Sequence, residues 1–204
     1  MILSCQKEVM ETNGISEQNT GVEVFAGMYD NTFNYYEYQP NFEVAISWDS
    51  QNLYGVGYDS IDLDLNGSFD LFITIDVLNI DSAYLLNGAL PNPFPNCELN
   101  TSSEFQLAFY TENYPTGMGQ TSSTSFVDRL DLNERIDDMT DWRNAGKMWQ
   151  QNPGTIGTPP YGDWSYASNS NYIGIRQNGD KFGWIEIDAS DKNNVKYMRY
   201  AICQ

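Results

Sequence analysis

The chain has 204 residues, with 28 Asp and Glu against 10 Lys and Arg for a net charge of −18, and no histidine. That charge repels phosphate backbones and argues against a nucleic-acid partner. The missing imidazole removes Ser-His-Asp and Cys-His catalysis and the commonest zinc ligand. A chain of this length buries a sizeable core in one domain, and 14% aromatic against 19% charged residues suits strands better than solvated helices.

The N-terminus reads Met1-Ile2-Leu3-Ser4-Cys5. Aliphatic residues, a small residue and then Cys resemble the end of a bacterial lipoprotein signal, in which Cys5 would bear the lipid. Gln6-Lys7-Glu8 resembles the short charged export tag of some Gram-negative surface lipoproteins. The basic n-region and long apolar stretch of a full signal are missing, as a trimmed start would explain. Residues 6–20 are polar and have the composition of a flexible tether. The expected division is a lipoprotein-type N-terminus and tether over 1–20, then a single β-sandwich domain over 21–204. With lipid on Cys5, Cys97 and Cys203 remain as an even pair. A bridge between them would close a loop of roughly 100 residues and add ~4 kcal/mol in the chain-entropy model. Spacing does not show that they come within reach, so two unpaired thiols stay open.

Strand patterns follow. Val22–Ala26 and Phe42–Trp48 alternate or run apolar. Between them Asn34–Pro40 is aromatic and polar together, which suits cross-strand packing better than sugar stacking. Leu53–Tyr58 is strand-like, and Phe69, Leu71, Ile73, Ile75 and Val77 alternate with polar residues. Leu90–Asn96 is a proline-broken loop, Glu104–Tyr110 another strand, and Gly117–Thr124 has loop composition. Asp128, Asp131, Glu134, Asp137 and Asp138 crowd the stretch that follows, without clean ligand spacing. Trp142 and Trp149 suggest a segment wrapped over one end of the sheets. Tyr172–Arg176 and Phe182–Ile187 flank the tight turn Asn178-Gly179-Asp180 as a hairpin, and Val195–Ala201 closes the chain. The expected fold is all-β, an antiparallel, jelly-roll-like sandwich with long loops.

The sharpest motif lies between two of these strands. Residues 62–70 read D-x-D-x-N-G-x-x-D. Calcium takes about 6–8 oxygen ligands, and loops of this type present them from alternate positions. Asp62, Asp64 and Asn66 would offer side-chain oxygens, Ser68 its backbone carbonyl, and Asp70 a carboxylate directly or through water. Gly67 stands where the loop turns sharply. A helical EF-hand needs a Glu at the twelfth position, where this chain has Ile73. The loop therefore resembles the strand-flanked calcium loops of integrin α-chain propeller blades. An acidic β-turn without metal is the plainer alternative.

The loop, the later Tyr172-Ile173-Gly174-Ile175-Arg176 … Phe182-Gly183-Trp184 hairpin and the terminal Tyr200-Ala201 together resemble a broad group of bacterial exported or lipid-anchored β-sandwich proteins. The resemblance spans roughly residues 55–77 and 126–202. It implies architecture and export, and no common reaction. Asp62, Asp64, Asn66, Ser68 and Asp70 carry over as metal ligands.

A second pattern points to catalysis. Glu186-Ile187-Asp188-Ala189-Ser190-Asp191 is similar to the E-x-D-x-x-E signature of laminarinase-type glycoside hydrolases, whose retaining chemistry sets two carboxyls about 5–5.5 Å apart. Asp191 has too short an arm for the acid/base role, and the motif lies too near the C-terminus for cleft-building strands to follow. The expected function is a non-catalytic, calcium-stabilised, lipid-anchored module at the bacterial outer membrane or cell surface. It would touch membrane only through lipid on Cys5, and its surface ligand would be a glycan or protein. A carbohydrate-binding module is the alternative, marked by two or three coplanar aromatics on one concave sheet face rather than in the core.

Overall fold

In the most regular strand, Leu71, Ile73, Ile75 and Val77 are fully buried, while Phe72, Thr74 and Asp76 between them are half-buried. Side chains on a strand point alternately to opposite faces, so this period of two marks a sheet with one dry face. A computed structural model describes residues 23–49, 54–77, 95–117, 120–138, 140–150 and 161–204. Its strands are β1 (Val24–Phe25), β2 (Phe33–Ala45), β3 (Ser47–Asp49), β4 (Tyr54–Ile61), β5 (Leu71–Val77), β6 (Asn96–Thr101), β7 (Phe105–Gly117), β8 (Gln120–Val127), β9 (Arg135–Ile136), β10 (Asp141–Arg143), β11 (Ala145–Trp149), β12 (Ser170–Gln177), β13 (Lys181–Asp188) and β14 (Asn194–Cys203).

The fold is all-β and sandwich-like, as the alternation predicts. One 12-stranded sheet runs β2-β14-β13-β12-β7-β8-β11-β6-β5-β4-β3, with β10 paired to β7; β1 and β9 form a separate ribbon. The sheet nearly closes on itself, because β2 and β3 lie at opposite ends of this order yet only Ile46 separates them in sequence. At the seam β4 passes so near that a Cβ on Gly57 would lie 2.6 Å from the Ala45 carbonyl oxygen. Inside, one apolar cluster joins Leu71, Ile73 and Ile75 to Leu107, Trp149, Ile175, Ile185 and Tyr197. Trp149 thus lies in the core as part of β11, and Trp142 packs half-buried against a second cluster; the glycine- and proline-containing residues 151–160, read with them as a wrapped segment, lie outside the described residues.

That second cluster covers the outer face of β12–β14. Tyr172, Phe182, Trp184 and Ala201 pack there against Val24, Ala26, Leu130 and Ile136. The Trp184 indole N–H donates to the Met28 carbonyl at 2.8 Å, which pins the covering segment. By contrast, the outer face of β4 leaves Tyr54, Val56 and Tyr58 exposed, and no apolar cluster forms over it among the described residues.

Several elements depart from the sequence reading. Phe69 lies outside β5 and is 58% exposed, since the chain straightens only after Asp70 has closed the preceding loop. Residues 120–124, read as loop, belong to β8, which pairs with β7 from Phe109↔Val127 to Gly117↔Gln120; β-branched and hydroxyl side chains are acceptable on a solvated ribbon. Cys97 is a free, fully buried thiol, whereas Cys203 is in a disulfide, so these two do not bridge each other. Cys97 instead sits in the core with its Sγ 3.6 Å from the Met148 sulfur. Cys5, the tether and most of the proline-broken loop lie outside the described residues.

Candidate metal centre

The D-x-D-x-N-G-x-x-D segment is the connection between β4 and β5, which pair antiparallel down to Ile61↔Leu71. Strands, not helices, flank it, as the period-two pattern requires. The loop is shaped from within by its own acidic side chains. The Asp62 carboxylate accepts the Asn66 N–H at 3.2 Å and the Gly67 N–H at 2.7 Å. Asp64 accepts the Asn66 N–H at 3.2 Å, and the Asn66 side-chain oxygen accepts the Ser68 N–H at 2.7 Å. Short polar side chains that capture nearby amides are what make Asp and Asn turn-formers.

Two residues of the loop adopt left-handed backbone. Gly67, with φ 91°, does so without penalty, and a Cβ there would meet nothing within 4 Å. Leu65, with φ 59°, does so as a bulky residue and leaves its side chain 66% exposed. A leucine in that conformation is held by its surroundings, and the amides around it are those captured by Asp62 and Asp64.

Asp70 anchors the loop to the body. Its N–H donates to the Ile61 carbonyl at 2.8 Å, and its carbonyl accepts the Ser102 N–H at 2.8 Å. The carboxylate is 3% exposed; it accepts the Leu63 N–H at 2.9 Å and the Ser102 hydroxyl at 3.2 Å. Burial pushes the Asp70 carboxyl above the usual carboxylate range, with the negative charge of Asp64 adding, while the Leu63 N–H and Ser102 hydroxyl pull it back. A second tie comes from β12, where the Gln177 amide donates to Asp64 at 3.1 Å. Ser102 and Gln177 are 32 and 113 residues away from their partners in sequence. Nothing in the motif points to either.

Asp62, Asp64 and Asp70 each present an oxygen within 4.8 Å of the others, one half-buried, one exposed and one buried. Among the described residues it is the one such gathering of acidic side chains, and the carboxylates at 128–138 do not form another. Three hard, anionic oxygens converging on one point suit a hard divalent cation. Asn66 keeps a second lone pair on its side-chain oxygen beyond the one given to Ser68, so it remains available as a fourth donor.

The motif at 186–191 is arranged otherwise. Glu186 is 5% exposed, its Oε2 pairs with Arg199 Nε, and its Oε1 accepts the Ser170 hydroxyl at 2.9 Å. Arg199 lies over the Trp184 ring, 6.0 Å from its centroid. Strand β13 ends at Asp188, whose carboxylate accepts the Ser190 N–H at 2.9 Å, and Asp191 follows as a turn residue that accepts the Asn193 N–H at 2.9 Å. Both oxygens of the would-be nucleophile are therefore engaged by neighbours. No protein-family model matches the chain, and no curated protein or solved structure is significantly similar to it.

Proposed function

We propose that the chain is a calcium-stabilised, exported module of the bacterial cell surface that binds or scaffolds and does not catalyse. The observation that carries this reading is the convergence of Asp62, Asp64 and Asp70 on a loop tied to the turn at Ser102 through Asp70 and to β12 through Asp64. A calcium ion there would be held by these three carboxylates with the Asn66 amide oxygen and the Ser68 carbonyl. It would convert mutual repulsion into shared attraction and so lock the β4–β5 connection to the turn at Ser102 and to β12. The ion's role is structural. An ion that binds only the folded chain adds about 2.7 kcal/mol when free calcium is a hundred times Kd.

Export is supported by two features. The net charge of −18 keeps a surface protein soluble, and the Met1–Cys5 stretch resembles a lipoprotein signal. Lipid on Cys5 is the anchor in this reading, and it requires that Cys5 not be the partner of Cys203, since one sulfur cannot carry both bonds. Intact mass under non-reducing conditions separates a diacylated Cys5 from one oxidised onto Cys203; the second result would remove the anchor. Absence of catalysis is supported by the missing histidine and by the engaged oxygens of Glu186.

The deciding experiment is thermal melting with calcium and with chelator. Calcium should raise the Tm of the wild type, and Asp64→Ala should lower the Tm and abolish the dependence. Identical curves for the wild type in both buffers would end the proposal.

A further inference from the structure

We propose that the outer face of β4, β5 and β6, over which no apolar cluster forms among the described residues, is the ligand site of this module and that its ligand is an uncharged glycan. The proposal builds on the binding-module reading and names the class of ligand. Three rings stand on this face. Tyr54 and Tyr58, 40% and 63% exposed, lie at i and i+4 on β4, and Phe72 lies on β5 opposite Ser60, one step diagonally from Tyr58. A strand rises about 3.3 Å per residue, so the two tyrosines stand about 13 Å apart on the same side. Val56 fills the space between them.

Acceptors flank this strip. Asp76 faces Val56 across the β4–β5 pair. Glu98 faces Thr74, and Asn100 faces Phe72, across the β5–β6 pair. Aromatic faces beside carboxylates and amides match the two surfaces of a pyranose. Its C–H faces are apolar and pack on rings, and its rim carries hydroxyls that donate to carboxylate and amide oxygens.

Charge narrows the choice. Asp76 and Glu98 outnumber the one cation beside them, Lys147 opposite Glu98 on β11, and with −18 on the chain, phosphorylated, sulfated or uronate ligands and anionic membranes are disfavoured. A protein partner fits poorly, because Asp and Glu are depleted in interface cores and here Asp76 and Glu98 stand on β5 and β6. Dehydrating them under an apolar surface costs free energy unless each finds a donor, and sugar hydroxyls supply donors.

The test is native affinity electrophoresis of the whole chain, in calcium, through gels containing mixed-linkage β-glucan, galactomannan or xylan, with alginate as the anionic control. Retardation by at least one neutral polymer and none by alginate is expected. Tyr58→Ala should weaken retardation about tenfold at unchanged Tm, and Tyr54→Ala with Tyr58→Ala should abolish it. The proposal fails if no neutral polymer retards the chain, if the double variant is retarded like wild type, or if alginate retards it equally. A concentration-dependent dimer in sedimentation that the double variant abolishes would also overturn it, in favour of a second copy. Melting with and without calcium on the same samples keeps the readings apart. Retardation with calcium-independent melting would sink the metal alone, and calcium-dependent melting without retardation would sink the glycan alone.

Discussion

On β12–β14 the outer face of the sheet is apolar and roofed, whereas on β4–β6 it mixes aromatic and polar residues and no other described segment roofs it. The same sheet makes both, and the same inward row of Ile and Leu backs both, so the difference lies in the outward residues alone. Outward Tyr172, Phe182, Trp184 and Ala201 bury under residues 23–28 and 130–136. Outward Phe72, Thr74, Asp76, Glu98 and Asn100 have no such cover among the described residues and stay half-buried. A face that needs a roof is part of the stability of the fold; a face that needs none is free to meet something else.

The largest test of this contrast is Trp184→Ala. Truncating a fully buried tryptophan removes the clasp on Met28 and should cost about 3–5 kcal/mol in denaturant unfolding. Tyr58→Ala on the bare face should stay within about 0.5 kcal/mol. Comparable losses at the two sites would erase the distinction between the faces.

Next in size is the proposed cation, which would belong to neither face but would close the loop between β4 and β5. Removing it by chelation should lower stability by about 2.7 kcal/mol relative to calcium at a hundred times Kd, and the loss should vanish in Asp64→Ala.

Glu186→Gln probes the polar pair inside the roofed face. It leaves Arg199 without its anion, but Arg199 keeps 34% of its side chain exposed, so water screens part of the penalty. The expected cost is about 1–3 kcal/mol, measured by urea unfolding. A neutral result would mean that the pair does not help hold the roof.

The smallest effect concerns the interior that the two faces share. Burial raises the Tyr197 phenol well above its ordinary value of 10.0, and its hydroxyl has no hydrogen-bond partner. The buried tyrosine stays protonated when the unfolded chain ionises. Its contribution is thus fully present below pH 10 and lost as pH rises above it, by about 1.4 kcal/mol per pH unit. Tyr197→Phe should therefore be near-neutral at pH 7 and less sensitive than wild type above pH 10. Base titrations with equal slopes for the two proteins would refute this. Tyr38 and Tyr200, raised for the same reason, add to the wild-type slope in both proteins and cancel in the difference.

Much of this was legible from residues alone. Alternation at Leu71–Val77 defined a strand, and Asn178-Gly179 gave the β12–β13 hairpin: the two residues take φ 52° and 85°, the left-handed backbone of a mirror-image turn. The spacing of Asp62, Asp64 and Asp70 defined a loop whose oxygens converge, because ligand order and turn chemistry are both local. The roof over Trp184 was not legible. Its residues are short apolar pieces at 24–26 and 130–136, and no local period distinguishes a covering strap from a core strand. The Cys97–Cys203 bridge was open in sequence because parity constrains number and not distance.

By itself the sequence determined the all-β class, the hairpins and an acidic loop able to gather a cation, since each rests on periods and turns a few residues long. Only the tertiary structure decided that Ser102 and Gln177 brace that loop, that Glu186 is spent on Arg199, and which outer face is roofed. Those outcomes depend on contacts between residues far apart in the chain, and the order in which strands pair sets them.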